Sequence, residues 1–129
     1  MGFFDLLFGT QKKSLGSIRG ETQENIRTDW ESIKILLNKK GPSNLRQALI
    51  VADKSLDNAL RDLVVGESMG ERLKNAKDLF QWEVYQKIWD AHKLRNNLVH
   101  ESNFDPPYFM VSEAISNIQG GLSSLGLKV

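Results

Sequence analysis

Trp89-Asp-Ala-His92-Lys-Leu-Arg95-Asn96-Asn-Leu-Val-His100-Glu101 carries an apolar stripe at helical spacing. With Val84 and Ile88 before it, the stripe reads Val84, Ile88, Ala91, Arg95, Leu98, at steps of four and three. An arginine thus stands in the middle of a buried face. A guanidinium keeps its charge, so a core-facing one must meet a carboxylate or a phosphate. His100 lies five residues on, about 140° around an ideal helix, and does not share the face of Arg95. Asn96 and His100 do share one, so the amide is in a position to orient the imidazole. The run Ser102-Asn-Phe-Asp-Pro-Pro107 then stops the helix, which is expected over Trp82 to Glu101.

Working outward, the preceding segments show the same periodicity. A helix is expected from Thr22 to Lys40 on the stripe Ile26, Trp30, Ile33, Leu37, with Lys39 and Lys40 at its negative end and Gly41-Pro42 stopping it. A second begins after Ser43 or Asn44 and runs to about Val64. Its broad core face is Leu45, Ala48, Leu49, Ala52, Leu56, Ala59, Leu60, Leu63. Asp53 sits on the flank of that face and Asp57 further out. If this helix packs on that of Arg95, Asp53 is the best-placed carboxylate for it. Such a pair is either structural or a support that holds Arg95 for a substrate phosphate.

Ser68 and Glu71 form a capping box that opens a short helix with Met69, Leu73, Ala76 and Phe80 on one face. Gly66 and Gly70 straddle Ser68 but lack the Gly-Lys-Ser/Thr ending of a phosphate loop. A last helix, with Asp105 as its N-cap and a first-turn proline, carries Val111, Ile115, Ile118, Leu122 and Leu125 and is weakened by Gly120-Gly121. No strand-like alternation of useful length appears. The expected fold is all-α: an antiparallel four-helix bundle with one additional short helix over residues 22–129.

Residues 1–21 stand apart as an apolar start and a Gly/Ser-rich linker. Phe3, Phe4, Leu6, Leu7 and Phe8 are too few to span a bilayer, and a signal peptide's long apolar middle is missing. Leu6 stands where a myristoylation pattern needs Ser or Thr. The segment reads either as a membrane-surface or partner-docking tag beside Lys12-Lys13, or as a terminus that packs on the bundle or a second subunit or stays disordered.

Composition narrows the chemistry. The 129 residues are 40% hydrophobic and 26% charged, which suits one globular domain. With no cysteine there is no disulfide, thiolate metal site or cysteine nucleophile, in keeping with a cytoplasmic protein. Two histidines without His-Glu-x-x-His spacing make no zinc site, so no metal or cofactor is expected. Net charge is +1: residues 1–41 hold seven Lys/Arg against five Asp/Glu, and residues 42–129 ten against eleven. A basic stripe of the kind that binds duplex DNA is absent.

Arg95-Asn96-Asn-Leu-Val-His100 resembles the Arg-x(4–6)-His motif of HEPN domains, small helical bundles of which many are metal-independent ribonucleases. Asn96 matches the polar residue favoured after the arginine, and the resemblance spans roughly residues 22–127, as in a small stand-alone protein of bacterial or archaeal type. It implies a homodimer that brings two motifs into one cleft, binds RNA or a nucleotide, and, as a toxin-like protein, answers to an antitoxin or partner protein. Some HEPN toxins carry a modified tyrosine two residues after the histidine. Here that position is Ser102.

Cleavage of RNA without a metal needs a group that titrates near neutrality, which His100 supplies, and a fixed cation on the phosphate, which Arg95 supplies. Asn96 would orient either one, with Asp53 supporting Arg95. Trp89 and His92, on the stripe Tyr85–Trp89–His92–Asn96, are secondary candidates for contacts to bases or nucleotide. Trp82 and Tyr85 share that stacking reading with Trp89. Such a stripe is more often core or dimer seam, and His92 reads first as a packed or surface residue. Three readings remain open: a dimeric endoribonuclease, a non-catalytic helical interaction module, and a membrane-surface protein delivered by residues 3–8.

Overall fold

The computed structural model describes residues 18–129, and among these the chain is all-helical, with no strand. The helices are α1 (Gly20–Lys39), α2 (Pro42–Leu63), α3 (Met69–Asn75), α4 (Trp82–His100) and α5 (Tyr108–Ser124), with one 3-10 turn (Lys77–Leu79) after α3. The apolar segment Phe3 to Phe8 lies outside the described residues, as do most of the expected linker positions.

The centre of the molecule is α2, which packs along α1 on one side and α5 on the other, while α4 lies along α5. Its alanines at 48, 52 and 59 are fully buried among Leu49, Leu56 and Leu60, so its neighbours approach closely. Each fully buried leucine contributes about 1.5–3 kcal/mol in apolar transfer. One polar tie crosses this core: the Trp30 indole donates to Ser55 Oγ at 2.9 Å, and Ser55 in turn donates to the Ala52 carbonyl at 2.7 Å. That chain satisfies two groups that burial would otherwise penalise.

Helix ends account for most departures from the sequence reading. Helix α1 starts at Gly20, and α2 starts at Pro42 behind Gly41, so neither Ser43 nor Asn44 is its cap. Proline lacks the N–H that a first helical residue leaves unbonded, which suits it to that place. Lys40 closes α1 at φ 65°, its N–H on the Leu36 carbonyl. That left-handed geometry costs a side-chain-bearing residue about 1 kcal/mol. Asp105 does not cap α5, which begins at Tyr108 with Pro107 as cap. A residue before proline is pushed out of helical geometry, so Pro106 stays outside the helix; Pro107, the cap, sits at ψ 157°.

The expected short helix is broken into α3 and the 3-10 turn, with Ala76 between them. Its start is capped as expected, Glu71 N–H donating to Ser68 Oγ at 3.1 Å, but the Glu71 carboxylate reaches back to the N–H of Glu67 rather than Ser68. Gly121 is no weak point in α5. A Cβ there would stand 2.7 Å from Ile88 Cδ1, so glycine lets α4 and α5 touch; Gly120 faces open space. Past Leu125, Gly126 turns at φ 94°, and N–H groups of Gly126 and Leu127 bond back to the Ser123 and Leu122 carbonyls at 2.9 Å each. This paired closure tucks Leu127 into the core.

Candidate functional site

Three polar residues interrupt the flank of α2 at helical spacing, Arg46, Asp53 and Asp57, and each fastens a different later part of the chain. Arg46 donates to the Phe104 carbonyl at 2.8 Å and holds the loop between α4 and α5. Asp57 receives Arg72 of α3 through two hydrogen bonds, 2.7 Å from Nε and 2.9 Å from Nη2. Arg72 Nη1 also donates to the Gly66 carbonyl at 2.7 Å. The hydrogen bonds to Asp57 outweigh burial and raise the Arg72 guanidinium above its ordinary pKa. Gly66, at φ 153°, lies so close that a Cβ would meet Arg72 Cγ at 2.7 Å.

Asp53 is almost completely buried and carries the candidate site. Its carboxylate lies 3.1 and 3.2 Å from Nδ1 of His92, which is buried too. Arg95, one turn further along α4, brings Nε to 3.5 Å from Asp53 Oδ2. That is an ionic contact and not a hydrogen bond, because Arg95 Nε is buried without a hydrogen-bond partner. Arg95 Nη1 donates instead to Asn96 Oδ1 at 3.0 Å, while Asn96 Nδ2 faces His92 Nε2 at 3.4 Å. Asp53, His92, Asn96 and Arg95 therefore close a four-membered ring of polar contacts.

The ring sits under an aromatic cover. Trp89 is half-buried and meets Tyr85 edge-on at 6.4 Å and His92 edge-on at 6.0 Å. A Cβ on Gly70 of α3 would lie 3.8 Å from Trp89 Cη2, so α3 backs the indole. Lys93 Nζ stands 5.9 Å above its ring. Tyr85 is buried and donates to the Leu73 carbonyl at 3.0 Å, whereas Trp82 is exposed, with Lys77 Nζ 5.7 Å from its ring.

The structure brings Arg95, Asn96 and Asp53 together and leaves His100 exposed in the last turn of α4. Asn96 is engaged by Arg95 on one side and His92 on the other, not by His100. His92, read first as a packed or surface residue without a fixed carboxylate partner, has one in Asp53 across 39 residues of sequence. Sequence reasoning missed Arg72 and Arg46. The spacing of Arg46, Asp53 and Asp57 along one flank of α2 was the signal that this flank faces other elements. Clefts among the described residues include one of about 270 Å³ along α4 and α5, past Asp90, Leu94, Asn97 and Phe104, and one of about 380 Å³ between Lys40, Arg46 and Tyr108; no member of the ring lines either. Among the described residues no cluster of three or more His, Cys, Asp or Glu side chains is placed to hold a metal, and no helix is long and apolar enough to cross a membrane.

Compared with models of protein families, with curated proteins and with solved structures, the chain shows no match in any of the three.

Proposed function

We propose that the chain is a metal-independent endoribonuclease of the HEPN type, an antiparallel four-helix bundle with one added short helix that acts as a homodimer with a composite Arg95/Asn96/His100 site. The observation that carries this reading is the bracing of Arg95. Its inner side rests on Asp53 and Asn96, while its side chain stays 31% exposed, at the helix end that also presents His100. A cation fixed from behind and open in front suits a phosphate whose negative charge grows during reaction.

The chemistry is a transesterification. His100 removes the proton of the ribose 2′-hydroxyl, O2′ bonds to phosphorus, and the bond from phosphorus to the 5′-oxygen breaks. A cyclic phosphate remains on one fragment, and the departing 5′-oxygen takes up a proton. One chain offers a single exposed histidine at this end, so a second copy provides the other titratable group. Trp89, packed on His92 with one face toward Lys93, is the aromatic nearest the ring and the residue for a base to stack on.

A second reading rests on a separate observation. Val99, Tyr108, Phe109 and Met110 are exposed around the end of α4 and the start of α5, which favours a helical module that docks a protein. Such a module would be a non-catalytic dimerisation or adaptor domain, with Arg95 structural. Mixed single-stranded RNA incubated with purified protein and excess chelator separates the two. Cleavage that leaves cyclic phosphate ends and is lost in His100→Ala supports the nuclease. A folded dimer that leaves RNA intact supports the module. The membrane-surface reading is tested by liposome binding before and after deletion of residues 1–9, and unchanged binding would sink it.

A further inference from the structure

Donors and acceptors around the Asp53–His92–Asn96–Arg95 ring fix one another. An ionised carboxylate only accepts, so the 3.1 Å contact with Asp53 places a proton on His92 Nδ1. A neutral imidazole then has a bare Nε2, which accepts from Asn96 Nδ2 at 3.4 Å. That leaves Oδ1 as the amide atom facing Arg95, and a guanidinium, which only donates, needs an acceptor there; it finds one at 3.0 Å. Each hydrogen-bonded contact of the ring pairs a donor with an acceptor in this arrangement, and Arg95 Nε alone is left with an ionic contact to Asp53. A proton on His92 Nε2 would confront the Asn96 amino group, and turning the amide by 180° would set two donors face to face at Arg95.

Asp53 cannot hold Arg95 unaided. Its carboxylate is closer to His92 than to Arg95, whose Nε stays at 3.5 Å and without a hydrogen bond. The guanidinium is therefore latched chiefly through Asn96. The charged groups of the ring come from two helices, Asp53 from α2 and Arg95 from α4, while Lys93 stands over Trp89. On the α3 side the neighbour is Gly70, which backs Trp89 and carries no charge.

We infer that His92 is a positioning residue: held by Asp53 as its Nδ1–H tautomer, it orients the Asn96 amide and thereby fixes Arg95. This rests on the ribonuclease reading only for its consequence in cleavage; the latch itself belongs to the protein without RNA. His92 is buried. Its part is to decide which end of an amide faces the arginine.

Long-range proton–nitrogen NMR of the imidazole is the test. Expected at neutral pH is a His92 ring protonated on Nδ1 and bare on Nε2; an Nε2–H tautomer or an imidazolium would overturn the proposal. Asn96→Ala takes away the amide that faces Nε2, so the His92 Nε2 nitrogen signal should shift; an unchanged signal would overturn the coupling. His92→Asn keeps a donor for Asp53 and removes the acceptor for Asn96. With the amide spectrum still that of a folded chain, its Arg95 guanidinium should turn and exchange faster than in wild type; equal rates would mean that His92 does not latch it. Should His92→Asn fail to fold, Asn96→Ala, at a half-buried position, gives the same readout on Arg95. In cleavage, His92→Asn should lose about tenfold in kcat/KM. A chain that shows the expected NMR signals yet cuts no RNA keeps the latch and loses the nuclease.

Discussion

Arg72 of α3 grips Asp57 of α2 through both carboxylate oxygens, at 2.7 and 2.9 Å, and both side chains are about nine-tenths buried. This pair, with the bond from Arg72 to the Gly66 carbonyl, seats the short helix that backs Trp89. Arg72→Met strands the Asp57 carboxylate and should destabilise the fold by about 3 kcal/mol, read as a lower urea midpoint. An unchanged midpoint would show that Arg61, whose Nε lies 3.5 Å from Asp57, takes over.

The apolar stripes of α1, α2, α4 and α5 were legible because burial repeats at helical spacing over several turns, and Ile26, Leu49, Leu56, Ile88 and Ile118 are all fully buried as that spacing demands. Helix ends were less legible, since at Pro42 and Pro107 local backbone constraints override the preference for a side-chain cap. At the site, an arginine within an apolar stripe required a carboxylate, and Asp53 was the one in reach. The histidine was not legible. Residues 53 and 92 meet only through the docking of α2 on α4, and no local spacing encodes that meeting.

Adjacent glycines in α5 should respond with opposite sign. Gly120→Ala faces nothing within 4 Å and gains helix propensity, stabilising by about 1 kcal/mol. Gly121→Ala drives a methyl to 2.7 Å from Ile88 Cδ1 and 3.0 Å from Cγ1. Overpacking there should cost about 1–2 kcal/mol. Ile88→Val removes Cδ1 and should recover part of that loss in the double variant. Thermal melts of the four variants check both signs.

Lys40 holds a left-handed backbone at φ 65° that glycine adopts freely. Lys40→Gly should stabilise the chain by up to about 1 kcal/mol, seen as a melting point raised by about 3 °C. A lower melting point would show that the lysine side chain matters more to the end of α1 than its backbone strain.

Asp62 anchors the start of α1. Burial tends to raise its pKa, but hydrogen bonds from Thr22 and from the backbone and side chain of Arg19 outweigh that and hold the carboxyl below its ordinary value. A depressed folded pKa stabilises above the unfolded value, about 3.9, and the contribution is lost as pH falls through the folded one. The first turn of α1 should therefore loosen below about pH 4. Amide exchange at residues 19–23 should speed up there, and Asp62→Asn should show the faster exchange already at neutral pH.

His100 is exposed at the end of α4, so His100→Ala should change stability by less than about 0.5 kcal/mol. Cleavage of single-stranded RNA in excess chelator, wild type beside His100→Ala at equal folded dimer, is the most direct measurement of the proposed function. Cyclic phosphate ends from the wild type and none from the variant are the predicted result. Equal cleavage by both, or intact RNA with a folded wild-type dimer at high enzyme and long times, would contradict it.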